Sequence, residues 1–185
     1  LRVMGSKGTT EHDFQQLYPE TEYKIYAIGI DELTGEFNTE VIFSEVITTP
    51  AKGVSEAYIE VTFDKYFDGS ALAQKYPQEF GDAAGYAVVP LKVTKHGDVA
   101  QFWYDVYSDD LSDTTYPTDL DLIIDLQING IANKEYTYAY CDYSTILTLA
   151  SFCKDSEDND SAVTRNVFRV LDSGVSPVDE FEFFE

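Results

Sequence analysis

The sequence predicts an all-β chain with one short helix set between strands. Three observations carry that expectation. Aromatic residues make up 15% of the chain, led by fourteen Tyr and twelve Phe. β-Branched residues recur in short runs suited to a pleated, half-buried surface. Long helix-forming stretches are scarce. At 185 residues the chain can hold one large domain or two small ones, since domains commonly run to about 100 to 150 residues.

Taken in order, Tyr23–Ile30 ("YKIYAIGI") reads as a strand, and "DELTGE" after it supplies Asp31 and Gly35 for a hairpin. "EVIFSEVITTP" returns as a second strand and stops at Pro50. Gly53 punctuates, and Tyr58, Glu60 and Thr62 then alternate with Ile59, Val61 and Phe63, the period of a strand with one buried face. From Asp68 to Gly85 the alternation lapses. That stretch reads as a surface excursion with a short helix capped by Ser70 and interrupted by Pro77. "YAVVPLKVTK" and "AQFWYDVY" follow as strands joined by "HGD", a hairpin signal. "TYPTDLDLIIDLQING" is the one convincing helix. Thr118 and Asp121 form a capping-box pair, Leu120, Ile123 and Ile124 an apolar stripe, and Gly130 the stop. "EYTYAY", "TILTLASF" and "AVTRNVFRV" complete the set of strands, with "DSEDND" as a turn before the last.

The chain also overlays on itself. "KGTTEHDF" falls on "NGIANKEY", "IYAIGID" on "LASFCKD", and "KGVSEAYIEV" on "SGVSPVDEFEF", so that Gly8 matches Gly130, Asp31 matches Asp155 and Gly53 matches Gly174. The repeat predicts three parts. Residues 1–52 are the second half of one unit and 53–173 a whole unit. Residues 174–185 are the first strand of a further unit, or a strand that completes the first. A chain that opens in mid-unit is expected to be processed or cut from a tandem array. Half a sandwich leaves strand edges and a core face uncovered.

Twelve Lys and Arg stand against thirty-four Asp and Glu, a formal charge of −22. Such a surface repels a phosphate backbone, so nucleic acid is excluded as a partner. No apolar run reaches the roughly eighteen residues of a membrane span. Cys141 and Cys153 lack metal-ligand or redox spacing. A strand from Thr145 to Cys153 would be roughly 26 Å long at about 3.3 Å per residue, which places the two sulfurs too far apart for a disulfide. Two free thiols are expected.

Candidate chemistry is sparse. "DSEDND" gathers Asp155, Glu157, Asp158 and Asp160, hard oxygen ligands of the kind calcium takes. It departs from the EF-hand pattern at Asp160 and Asn166, which favours a solvated turn. His12 and His96 sit in polar turn-like stretches without a partnered nucleophile, and pairs such as Asp109 and Asp110 are uninformative among so many acids. No catalytic, cofactor-binding or metal-ligating residue is assigned, and the chain is read as a non-enzyme. In "FWYDVY" alternation places Phe102, Tyr104 and Val106 on one face and Trp103, Asp105 and Tyr107 on the other. If that second face is open, Trp103 and Tyr107 could stack on a sugar.

At "LYPETEYKIYAIGIDELTGE" the chain resembles fibronectin type III domains through Leu17, Pro19, Thr21 and Tyr23. The resemblance implies an immunoglobulin-like β-sandwich in which the Tyr23 hydroxyl ties a corner between sheets. The second copy departs from it, with Leu147 where Tyr23 stands. Residues 58–131, from "KYFDGSALAQKYPQEF" to "YPTDLDLIIDLQINGI", are similar to divergent fibronectin type III-like modules of surface lipoproteins in gut Bacteroidetes. That similarity implies a lipid-anchored protein on the outer face of the cell, serving as a structural or adhesive module, with glycan binding as the alternative. It further implies O-glycosylation at a short Asp-Ser/Thr motif, which Asp160-Ser161-Ala162 and Asp113-Thr114-Thr115 fit.

Overall fold

Strand-forming residues dominate the computed structural model, which describes residues 5, 7–8, 10–14 and 17–184. The chain divides into two units, residues 1–52 and 53–185.

The first unit is a long antiparallel ribbon. β1 (Glu22–Tyr23) pairs with β4 (Ile47–Thr48), β2 (Tyr26–Ala27) pairs with β3 (Ile42–Phe43), and Ile30 bridges Phe37 near the turn. The strand expected over Tyr23–Ile30 is therefore broken. Three residues lie between Phe43 and Ile47 against two between Tyr23 and Tyr26, and an extra residue on one strand interrupts the ladder and turns its side chains over. Ile42, Phe43 and Phe37 are 69%, 64% and 71% exposed, and no described residue of this unit is buried. Most apolar residues of the ribbon are exposed, with Tyr23 and Ile28 half-buried.

The second unit is a β-sandwich with its own core. One sheet has the order β10 (Tyr136–Cys141), β7 (Ala87–His96), β5 (Tyr58–Thr62), with the short β6 (Phe67–Asp68) also on β7. The other has the order β12 (Thr164–Phe168), β11 (Leu147–Lys154), β8 (Gln101–Tyr107), β9 (Ile131–Ala132). Every ladder is antiparallel. Ile59 and Val61, Val89, Leu91 and Val93, Phe102 and Tyr104, and Leu147, Leu149 and Cys153 meet between the sheets. These are alternate residues of β5, β7, β8 and β11, as a period of two requires.

The turn at His96–Gly97–Asp98 does not make the expected hairpin. β7 and β8 belong to different sheets, so this turn carries the chain across the sandwich. Gly97 has φ +79° and lies close against the Ala57 backbone, a conformation and a clearance that suit glycine.

Helices cover the outer face of each sheet. Residues 69–80 are not a bare excursion: α1 (Gly69–Lys75) and α2 (Pro77–Phe80) bury Leu72 and Phe80 against Phe67 and Val88. Asp68 rather than Ser70 caps α1, accepting the Ala71 amide at 2.7 Å, while the Ser70 hydroxyl accepts the Gly85 amide. On the other sheet, α3 (Asp119–Asn129) opens with the expected reciprocal bonds between Thr118 and Asp121. Its buried residues are Leu122 and Leu126, with Ile123 at their edge, so the stripe is rotated from the one expected. The result is a central strand, β11, buried from Leu147 to Cys153 on both faces.

Residues 172–184 do not form the expected strand. They make two 3-10 turns, Asp172–Gly174 and Val178–Glu180, and one parallel bridge from Ser176 to Phe67. Phe181 then packs into the cluster beneath α1 and α2. Among the described residues no helix is long and apolar enough to cross a membrane.

Candidate functional site

The outward face of β8 carries the residues singled out for ligand stacking. Tertiary packing gives them another role. Trp103 is half-buried and stacks on Phe152 of β11 at 5.0 Å between ring centroids. Tyr107 packs with it among Leu122, Leu126 and Leu111. The Tyr107 hydroxyl donates to Asp125 of α3 at 2.6 Å, and the Asn129 side chain donates to the other oxygen of Asp125 at 2.8 Å. The indole and phenol are thus each half-buried where α3 meets the sheet.

Asp105 lies between them on the same face. Burial raises its pKa, and the nearby charge of Asp125 adds to that, against the lowering effect of the Val106 amide it accepts. Tyr107 is pushed up by burial first and then by its bond to Asp125. Asp105, Tyr107 and Asp125 form one coupled polar patch inside an otherwise apolar contact. Asp105 was legible as a charge in mid-strand between two aromatic residues. Asp125 was not, because nothing in the sequence shows which sheet face α3 covers.

In the acidic turn one carboxylate, that of Asp155, braces the backbone. Asp155 accepts the Glu157 and Asn159 amides at 3.0 and 2.9 Å and the Asn159 side chain at 3.1 Å. Lys154 pairs with Asp158 at 2.6 Å, and Asp98 accepts the Ser156 hydroxyl. Among the described residues no three His, Cys, Asp or Glu side chains are placed to hold a metal ion.

The two hydroxyls fitting the Asp-Ser/Thr motif separate. Ser161 is 6% exposed; its oxygen accepts the Cys153 amide at 2.9 Å and it donates to the Ala162 carbonyl at 3.0 Å. A buried hydroxyl used in both directions is closed to a glycosyl donor. Thr114 is exposed. Cys141 and Cys153 are buried free thiols. Burial pushes Cys141 up to about 12, so it stays protonated and packs as a small apolar residue. His96 stacks on Tyr58 at 4.4 Å and lies 3.7 Å from Glu60, and exposed His12 lies 3.3 Å from the Thr10 hydroxyl.

In the first unit the Tyr23 hydroxyl accepts the backbone amide of Tyr18 at 2.8 Å, and the Thr21 hydroxyl donates to the Pro19 carbonyl at 2.9 Å. The Asp31 carboxylate accepts the Leu33 and Thr34 amides at 2.9 and 3.0 Å. Those amides hold its pKa below the ordinary value. Comparison of the chain with protein-family models, with curated proteins and with solved structures finds no match in any of the three.

Proposed function

We propose that the chain is a non-catalytic, extracellular structural or adhesive segment of a cell-surface protein, built from fibronectin type III-like units in tandem. The observation that carries this reading is an Asp-led hairpin turn at matched positions in the two units, one residue longer in the first. In the first unit Asp31 begins the turn, accepting two amides with its side chain and the Gly35 amide with its carbonyl. In the second unit Asp155 begins the turn between β11 and the strand that follows, accepts two amides with its side chain, and takes the Asp158 amide on its carbonyl. Each turn contains a left-handed residue, Gly35 at φ +72° and Asp158 at φ +66°. Asp31 and Asp155 are the residues that the internal overlay of the sequence matches.

Two further features support the reading. The second unit sets two four-stranded antiparallel sheets face to face, each with one two-residue strand, and joins them by crossings, an arrangement compatible with an immunoglobulin-like sandwich. The bond between Tyr23 and the Tyr18 amide has the form of a tyrosine corner, in which a hydroxyl bonds back to backbone a few residues upstream. A scaffold of stiff sandwiches needs stable cores and a soluble surface, and the charge of −22 suits the second requirement. Glycan binding is the alternative, and we rank it second because Trp103 stacks on Phe152 and Tyr107 bonds to Asp125 of α3. Thr114 remains the hydroxyl we assign to O-glycosylation.

Antibodies raised against this chain are expected to label intact, unpermeabilised cells that make the protein. Labelling only after lysis would overturn the surface assignment. Mass spectrometry of the native protein is expected to find a hexose-bearing peptide containing Thr114, with the Ser161 peptide unmodified.

A further inference from the structure

The segment 178–184 is held in a manner that differs from every strand of the sandwich. It contributes no ladder, and side chains anchor it instead. The Phe181 ring is 6% exposed and meets Phe67 and Phe80 edge-on, each at 5.2 Å, with Tyr76 and Tyr138 at 5.8 and 5.7 Å. Phe184 lies over Tyr138 at 5.0 Å, and its amide donates to the Tyr138 hydroxyl at 3.2 Å. The preceding acids are matched by two of the twelve basic residues in the chain: Lys65 pairs with Glu180 and Lys75 with Asp179, each at 2.7 Å. An aromatic anchor seated among apolar rings and flanked by complementary charges is the arrangement of a bound peptide.

We propose that the groove formed by α1, α2 and β10 is a binding site for an acidic-aromatic segment of the form Asp-Glu-Phe-x-Phe-Phe, and that its second occupant is residues 179–184 of another copy of this chain. The charge pattern selects that occupant. A surface this acidic repels most copies of itself, yet here two lysines face two carboxylates, and a second copy presents those carboxylates on the same aromatic segment. Own and exchanged segments make identical contacts, so the balance is one of concentration. A tethered segment has an effective concentration of about 1 mM. Exchange is therefore minor in dilute solution and grows where copies are crowded.

Charge reversal separates the two arrangements with little demand on folding, because the four residues are at the surface. One full-length variant carries K65E and K75E; a second carries D179K and E180K. Within either variant like charges face each other, but between the two variants every pair is complementary. An equimolar mixture, followed by sedimentation at about 0.1 to 1 mM, is expected to form a heterodimer with a dissociation constant about tenfold or more below that of either variant alone. A full-length chain bearing all four changes restores its own pairing and is expected to stay monomeric in the same range. The proposal is overturned if the mixture associates no more strongly than the separate variants, or if the four-change chain dimerises as the mixture does. Circular dichroism of each variant before mixing checks that the fold is intact.

Discussion

The Tyr23 hydroxyl shows how far one residue can be read from its neighbours. The resemblance carried by Leu17, Pro19, Thr21 and Tyr23 implied a hydroxyl tied to nearby backbone, and the Tyr23 hydroxyl accepts the Tyr18 amide five residues upstream. Tyr23→Phe is expected to cost about 0.5 to 1.5 kcal/mol and to raise hydrogen exchange at the Tyr18 amide about fivefold. An unchanged rate would show that the corner contributes nothing. The position of Asp105 could be read in this way but its environment could not, because Asp125 beside it comes from a helix distant in sequence. Its raised pKa means that the charged form is penalised in the folded state. That penalty is absent below the ordinary carboxyl range, where folded and unfolded forms are both protonated. It is complete above the raised value. Asp105→Asn, which keeps an oxygen for the Val106 amide, is therefore expected to raise Tm at neutral pH, with the gain vanishing as pH falls to about 3.

Among elements, β12 and the loop before α3 depend on a partnership invisible in sequence. "AVTRNVFRV" reads correctly as a strand, but nothing in it tells which loop Arg165 holds. The guanidinium donates to the carbonyls of Leu111, Asp113 and Pro117, each at 3.0 Å, and to Asp119 at 2.6 Å, with the side chain 6% exposed. Arg165→Met keeps the apolar stem and strands those acceptors, so it is expected to cost about 2 to 4 kcal/mol in urea unfolding. Asp119→Asn leaves the three carbonyls served and, at a half-exposed carboxylate, is expected to cost about 0.5 kcal/mol. Equal costs would mean that the ion pair rather than the backbone clasp matters. Local pattern also misplaced the His96–Gly97–Asp98 turn, since a polar glycine turn serves a hairpin and a crossing between sheets equally well. Side-chain alternation in β8 separated the faces: Phe102 and Tyr104 are buried between the sheets, while Trp103, Asp105 and Tyr107 are half-buried on the side of α3.

For the whole molecule, composition announced the strands and the surface charge, while the covering helices emerged only with the tertiary contacts. Leu72, Phe80, Leu122 and Leu126 have faces to bury, but a sequence does not say against which sheet. With a charge of −22, self-repulsion works against the compact state. Raising NaCl from about 0.01 M to about 1 M shortens the screening length from about 30 Å to about 3 Å and is expected to raise Tm. A fall in Tm would show that the few ion pairs outweigh the repulsion. The central claim is that residues 53–185 close around a core of their own while the ribbon of residues 21–49 carries apolar residues that nothing within its unit buries. Hydrogen exchange over the whole chain, resolved by segment, tests it most directly. Amides of β7, β8 and β11 are expected to exchange only by global unfolding of the sandwich, and those of residues 21–49 orders of magnitude faster. Protection of the ribbon equal to that of β11 would contradict the account.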